Sequence, residues 1–331
     1  MSCVTQFFVP LYSLNVDIMQ DYASIIESSL AGMDMSQGCD RLYEPITYTL
    51  AGGGKRLRPL LAMVCAGACG VDPARVLPQA LGIEMFHNFT LLHDDVMDRS
   101  DTRRGRPTIF ARNGAVRAIL SGDALLTLAT MKMAENAGEF TPRLLDMFNR
   151  TALAVYEGQQ WDTDFESAAP TDISEDDYIN MILRKTAALI ILPCLVAPTI
   201  AGNDEAREAL KQYALHLGLA FQLRDDWLDT FGDAATFGKP IGGDIVNRKH
   251  TLLFIRAWDR APEAMTEAYK SADPVASVTA IYRDLGLDTE IQNMIDAECE
   301  AACAALDGAS LEAEHKAWLV KLAHSLSTRT K

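Results

Sequence analysis

The stretch Glu84–Thr108 reads EMFHNFTLLHDDVMDRSDTRRGRPT, and its reading decides the fold. Apolar residues recur at helical spacing until they meet three aspartates, Asp94, Asp95 and Asp98. At about 100° per residue, Glu84, His87, Leu91, Asp94 and Asp98 share one helix face. Asp94 and Asp98 stand one turn apart there and can share a divalent cation. Arg103, Arg104 and Arg106 follow on a short loop broken by glycine and proline. Clustered carboxylates repel unless they are solvated, paired or metal-bound. For one such cluster alone, a solvated helix end is the bland alternative.

The pattern occurs a second time. Phe221–Asp229 reads FQLRDDWLD, again at the end of an apolar helical run. Leu215, Gly218, Gln222, Asp225 and Asp229 form the same kind of face. Facing each other, the two clusters would put Asp94, Asp95, Asp98, Asp225, Asp226 and Asp229 around one cavity. Such density demands metal, and an all-oxygen donor set selects magnesium-like hard cations. Magnesium keeps water and prefers to bridge carboxylates to phosphate oxygens. The implied substrate therefore carries phosphates.

Two further stretches suit anions. Gly52-Gly53-Gly54 precedes Lys55, Arg56 and Arg58, and Pro59 opens the apolar helix 60–69. A glycine turn, three cations and a helix N-terminus make an anion site; an ordinary turn with solvated basic residues is the alternative. Lys185-Thr186 lies in apolar helical text. Burial opposes the lysine charge unless an anion pairs with it, or unless its stem snorkels past its neighbours. Gln159 and Asp162 either face the pocket or serve packing and capping. The Gly-rich loop 232–248, with Lys239, Asp244 and Arg248, followed by Lys249, is the candidate lid over phosphates.

The rest of the chain reads as helix. The spacing predicts helices over 17–30, 42–50 despite Pro45, from near Pro78, and over 115–134, 141–160, 206–229 and 252–257. Ser174 and Asp177 form a capping box at another helix start. Pro193 and Pro198 should kink or end that segment. Amphipathic helices with a turn at 284–288 fill the C-terminal third, where no chemistry is identified. Solenoid repeats, low-complexity linkers and β-rich segments are absent from this reading, so residues 1–331 are expected to form a single all-α domain.

Of 331 residues, 49% are hydrophobic and 23% charged, which describes a globular protein with a large core. A net charge of −15 argues against nucleic acid and against adhesion to an anionic membrane. The positive groups that hold a diphosphate must then be concentrated locally. FFVPLYSL near the start lacks a basic flank, so no signal peptide is expected. A run of about 18 apolar residues, the length of a membrane span, is also not seen. Cys65/Cys69 and Cys299/Cys303 are helix-spaced pairs that read as core packing, and no CxxC occurs. A reducing cytoplasm is the simplest compartment.

Taken in order, Gly52–Pro59, Asp94–Asp98 with Arg103-Arg104-Gly105, Lys185-Thr186, Phe221–Asp229 and Phe237–Thr251 (FGKPIGGDIVNRKHT) resemble the trans-isoprenyl diphosphate synthases of the polyprenyl synthetase family. That resemblance implies the isoprenoid synthase type I fold, a helical bundle around a deep central cavity, and a homodimer. It implies head-to-tail (1'-4) condensation of isopentenyl diphosphate with an allylic diphosphate, without nucleic acid or stable membrane insertion. Asp94, Asp98, Asp225 and Asp229 would hold about three magnesium ions acting as Lewis acids, with Asp95 and Asp226 as further ligands or supports. Arg103, Lys185, Lys239 and Lys249 resemble the allylic diphosphate contacts. Lys55, Arg58, His87 and Arg104 resemble those for isopentenyl diphosphate. Thr186 and Gln222 would turn negative dipoles toward the allylic cation.

Product length rests on Phe89 and Thr90. A bulky residue here floors the pocket in the family, and the first cluster lacks the insertion of bacterial farnesyl synthases. One large and one small residue resemble a C20 (geranylgeranyl) synthase, with C15 (farnesyl) or a longer polyprenyl product as alternatives; Phe89 as plain core packing is another.

Three other readings compete. Glu84-x-x-His87 and Glu312-x-x-His315 match a di-iron carboxylate bundle, which leaves both aspartate clusters, the arginines and Gly52–Gly54 unexplained. A non-catalytic subunit would be expected to lose metal aspartates, and a terpene cyclase would not need Lys55 and Arg58.

Overall fold

The computed structural model describes residues 16–33, 38–233 and 241–328. In chain order its helices are α1 (Val16–Ala31), α2 (Asp40–Leu50), α3 (Leu57–Ala68), α4 (Leu77–Met97), α5 (Ile109–Asn113), α6 (Ala115–Ala134), α7 (Thr141–Ser167), α8 (Glu175–Ile182), α9 (Ala188–Ala201), α10 (Asp204–Phe231), α11 (Gly243–Val246), α12 (Leu252–Arg260), α13 (Pro262–Ala268), α14 (Pro274–Asp284), α15 (Leu287–Ala305) and α16 (Ala313–Ser327). Strands among the described residues are β1 (Thr102–Arg103) and β2 (Arg106–Pro107), an antiparallel hairpin within the arginine loop. The all-α expectation holds. The chain divides into two compact units: Met1–Asn149 with Leu192–Glu208 and Ser310–Trp318, and Arg150–Ile191 with Ala209–Ala309 and Leu319–Lys331.

In the first unit α4 packs against α6. From Leu77 to Phe89 nearly every α4 side chain is buried, the polar Gln79, Glu84 and Asn88 among them. A glycine on each helix permits the close approach. A Cβ at Gly82 would stand 2.9 Å from the Ala129 carbonyl oxygen, and one at Gly122 would stand 2.5 Å from His93 Nε2.

In the second unit α10 carries the core residues Leu217, Leu223 and Leu228, and α15 carries Ile291 and Ile295. The fully buried Arg224 of α10 donates to the carbonyls of Leu326 (2.9 Å) and Ser327 (2.7 Å). A guanidinium at a helix C-terminus satisfies carbonyls that have no partner within the helix. The C-terminal helix is thus tied to the helix that bears the second aspartate cluster.

Two expectations about breaks require correction. Pro193 and Pro198 do not end α9, which runs on through both. Leu189, Ile190, Leu192, Cys194, Val196 and Ala197 are buried along it, and that packing outweighs the lost backbone bonds. The irregularity lies earlier, in a π turn over Leu183–Ala187. Together Glu175–Ala201 is long and apolar enough to cross a membrane, contrary to the expectation that no such run exists. More than half of its most apolar window is buried in the protein, and it carries Arg184 and Lys185, as a core helix does. The capping box at Ser174 and Asp177 is present.

Candidate active site

In the second unit four elements line a cavity of about 210 Å³. The last turns of α7 supply Asp162, Phe165 and Glu166; α8 supplies Tyr178, Met181 and Ile182. The π turn supplies Lys185 and Thr186, and α10 supplies Gln222, Asp225, Asp226 and Asp229. Asp244, Lys249, His250 and Thr251 complete the lining.

The π turn aims this lysine and threonine. Such a turn holds one extra residue and recurs at functional sites. Glycines on both flanking helices make room for it. A Cβ at Gly158 would collide with the Lys185 backbone nitrogen, and one at Gly218 would lie 2.5 Å from Ala187 Cβ. Backbone cannot yield as a side chain does, so Gly158→Ala should cost about 1–3 kcal/mol of stability by overpacking. Denaturant unfolding reads that loss; an unchanged midpoint would show that α7 slides freely.

Lys185 Nζ donates to Asp162 Oδ2 at 2.5 Å. Its acid partner therefore answers the question the apolar text raised. Thr186 Oγ1 donates to Gln222 Oε1 (2.7 Å), and Gln222 Nε2 donates to Asp226 Oδ1 (2.8 Å). Tyr178 donates its hydroxyl to Asp226 Oδ2 at 2.5 Å. This chain fixes Thr186 and Gln222 in one orientation. Burial, then Asp244, pushes the Asp226 carboxyl well above its ordinary range, against the pull of the Tyr178 and Gln222 bonds. Burial likewise holds the Tyr178 phenol protonated.

Asp229 Oδ2 accepts the Asp244 backbone N–H at 2.9 Å, and the Asp229 carbonyl accepts that of Gly242 at 2.6 Å. Asp229 thereby anchors the start of α11. Burial, followed by the charge of Asp229, pushes Asp244 up to about 6, with Lys249 opposing. Carboxylates crowded this far are short of positive charge. A hard cation with oxygen donors is the group such a set fits. Among the described residues no three His, Cys, Asp or Glu side chains already close on one point. A cation completed by water and phosphate oxygens needs no such cage.

The Asp244 shift has a pH consequence. Its folded value, about 6, exceeds the ordinary 3.8, so between those values the folded chain binds the extra proton. Its contribution to stability is present below pH 4 and is lost as pH rises through 6. Asp244→Asn should raise metal-free stability at pH 7 by on the order of 2 kcal/mol and flatten the slope between pH 4 and 7. Urea unfolding at both pH values checks this, and an unaltered slope would refute it.

In the first unit the β1–β2 hairpin presents Arg103 and Arg104 to a second cavity, which Asn88 and Asp95 also line. Arg103 Nε donates to Asp95 Oδ1 at 2.8 Å. Burial raises the Asp95 carboxyl, and Arg103 opposes that rise. Arg104 has left-handed backbone (φ 53°) and donates to the Gly53 carbonyl. A Cβ on Gly54 would stand 2.6 Å from its Nη1, and the φ of 128° at Gly54 strains any residue but glycine. Arg58 Nε and His87 Nδ1 are sealed from solvent without a hydrogen-bond partner. Burial lowers Arg58 to about 10, with Arg104 adding to the drop and Glu84 resisting it. Burial, then Arg58 and Arg104, holds His87 well below its usual value and therefore neutral. Arg58, His87 and Arg104 are thus brought together with donors to spare.

Arg56 does not join them. It is buried and donates to Glu27 (2.8 Å), Glu84 (2.7 Å) and the Leu50 carbonyl (2.5 Å). The basic run is therefore divided: Arg56 ties α1, α2 and α4 together, Lys55 is exposed, and the charge of Arg58 acts on His87. Asp94 is half-buried, and Asp98 is exposed at the C-cap of α4. Phe89 is buried beside Phe86 and His93, and the Thr90 hydroxyl donates to the His87 carbonyl at 2.8 Å.

The sequence profile of the Polyprenyl synthetase family matches residues 39–285. The chain belongs to this family. A short chain isoprenyl diphosphate synthase of Methanocaldococcus jannaschii is 40% identical over 220 residues, 66% of each chain. A geranylgeranyl diphosphate synthase of Methanosarcina mazei is 34% identical over 248 residues, 74% of this chain and 76% of that one. The crystal structure of geranylgeranyl pyrophosphate synthetase from Pyrococcus horikoshii superposes with a TM-score of 0.87 at 29% identity, covering 96% of this chain and 98% of that one. The protein is a prenyltransferase with the all-α isoprenoid synthase fold.

Family membership removes the di-iron reading, and the geometry agrees. Glu84 serves Arg56 and Asn88, and His315 Nε2 pairs with the Tyr22 hydroxyl at 3.1 Å. Lys239 lies outside the described residues. Sequence reasoning missed Tyr178, although it stands two turns before Lys185 and so on its face. It also left Asp162 open and did not foresee Phe165, Glu166 and His250 as lining residues.

Proposed function

We propose that this prenyltransferase joins isopentenyl diphosphate head-to-tail to an allylic diphosphate, releasing geranylgeranyl diphosphate (C20), with farnesyl diphosphate (C15) as the nearer alternative. The observation that carries this reading is the second-unit cavity, where Asp225, Asp226, Asp229 and Asp244 crowd beside Lys185 and Lys249. Asp94, Asp98, Asp225 and Asp229 are the residues that would hold magnesium. When bound, it polarises the leaving diphosphate. Lys185 and Lys249 take the allylic diphosphate oxygens as point charges, with Arg103 and Lys239 as further contacts.

Thr186 and Gln222, locked by the bonds through Asp226 to Tyr178, offer oxygen dipoles to the allylic cation. Arg58, Arg104 and Lys55 hold isopentenyl diphosphate, and neutral His87 donates to it without adding charge. Its double bond attacks the cation and a proton leaves; the departing diphosphate is the acceptor. Binding two diphosphates, rather than cyclising one, accounts for a second set of cations at Arg58 and Arg104.

The chain works as a single catalytic domain in the cytoplasm and pairs as a homodimer. Val116, Ile119, Leu120 and Met131 are exposed on α6 and fall within an arc of about 120°, the stripe that a partner helix covers. Sedimentation at the mass of one chain would overturn the dimer.

The deciding experiment incubates the protein with labelled isopentenyl diphosphate and either dimethylallyl or farnesyl diphosphate, then chromatographs the dephosphorylated products. Geranylgeraniol is expected from both starters. Recovery of the starter alcohol alone would refute the condensation.

A further inference from the structure

The hairpin that carries Arg103 and Arg104 has two residues per strand, too few to hold itself in place. Its rigidity comes from α2. The Arg106 and Arg112 guanidinium carbons each lie over the Tyr48 ring, 4.0 Å from its centroid. Like charges crowded on one face would repel, which favours one guanidinium on each side of the ring. A cation over an aromatic face is attracted by the ring quadrupole. Tyr48 also donates its hydroxyl to the Pro107 carbonyl at 2.9 Å, and Arg112 is held in turn by Glu44 at 3.3 Å. Arg106 is the cross-strand partner of Arg103, and Arg104 is the next residue along the tip.

Arg103 has its own anchor in Asp95, whereas Arg104 depends on the hairpin and on the Gly53 carbonyl. Tyr48 lines the same cavity as both arginines. We propose that Tyr48 is a positioning residue that clasps Arg106 and Arg112 and thereby sets Arg104 for isopentenyl diphosphate. This rests on the reading of Arg104 as a contact for that substrate. The hydroxyl is secondary, because the clasp belongs to the ring faces. A residue that merely fills space on α2 would be replaceable by leucine; one that orders two cations would be replaceable by phenylalanine alone.

The test compares Tyr48→Leu and Tyr48→Phe by calorimetric titration with isopentenyl diphosphate and by the Michaelis constants of both substrates. Tyr48→Leu should weaken isopentenyl diphosphate binding about tenfold, equal to about 1.4 kcal/mol. It should leave the allylic Michaelis constant within about twofold, because Asp95 still orients Arg103. Tyr48→Phe should bind within about twofold of the natural chain, since both ring faces remain. Leucine binding as tightly as tyrosine, phenylalanine as weak as leucine, or equal losses for both substrates would each overturn the proposal. Should the leucine chain not fold, Arg112→Gln removes one side of the clasp from outside the cavity. It should weaken binding about threefold, and unchanged affinity would overturn the proposal equally. Natural protein that binds isopentenyl diphosphate yet forms no product would overturn the condensation reading and leave the affinity series in force. Natural protein that does not bind it would overturn the role of Tyr48.

Discussion

Asp225→Ala should lower turnover by about a hundredfold or more, a loss of about 3 kcal/mol in transition-state stabilisation. Asp225 lines the second-unit cavity, where its charge helps raise the carboxyls of Asp226 and Asp244. Losing it removes an oxygen donor that no neighbour replaces. Asp229 is already engaged with the Asp244 N–H, and Asp226 with Tyr178 and Gln222. The same deletion relieves repulsion within the cluster, so the melting temperature should hold or rise. Activity and stability therefore move apart, which separates this effect from general damage. Asp226→Ala makes the contrast, because it strands the buried Tyr178 hydroxyl and loosens Gln222, and both quantities should fall. Steady-state turnover with saturating magnesium, beside a melting curve, decides between them. Near-normal turnover in Asp225→Ala would end the role of the second cluster, and a collapsed melting temperature would reassign the residue to the fold.

The aspartate clusters were legible because two periodicities coincide: apolar residues at helical spacing carry carboxylates on the same face. The long helices were legible for the same reason, and Ala115–Ala134 has the bounds the pattern predicts. Other features left no periodic trace. Lys55, Arg56 and Arg58 look alike as letters; burial against Glu27 and Glu84 alone marks Arg56 as scaffold. The π turn shifts register by one residue, less than the pattern can resolve, and its sign in the sequence is the pair Gly158 and Gly218, each too distant to be read together. Pro193 and Pro198 misled because local propensity yields to packing along a buried helix. The pairing of Lys185 with Asp162 joins residues on separate helices, so spacing cannot express it.

Phe89→Ala should lengthen the products beyond the natural distribution. On the proposed reading the growing chain extends away from the first aspartate cluster along α4, where Phe89 lies five residues before Asp94, about 7.5 Å down the axis at 1.5 Å per residue. The ring is held rather than loose. It stacks on Phe86 at 5.6 Å between centroids, leans on His93 at 4.6 Å, and would touch a Cβ on Gly122 at 3.5 Å. His93 Nε2 in turn lies 3.3 Å from the Ile119 carbonyl, which fixes the far side of the contact. A ring so supported can stop a hydrocarbon tail, because moving it would disturb α6 as well as α4. Thr90, one residue on, adds no bulk. Truncation to alanine leaves a cavity that its neighbours cannot collapse to fill, at a cost of about 3–5 kcal/mol in stability. A C25 or longer alcohol should therefore accompany the C20 product in chromatography of the dephosphorylated mixture, from protein shown to be folded. If Phe89 served packing alone, the stability would fall and the product lengths would not change. That outcome would move the floor of the cavity to another helix and withdraw the basis for C20.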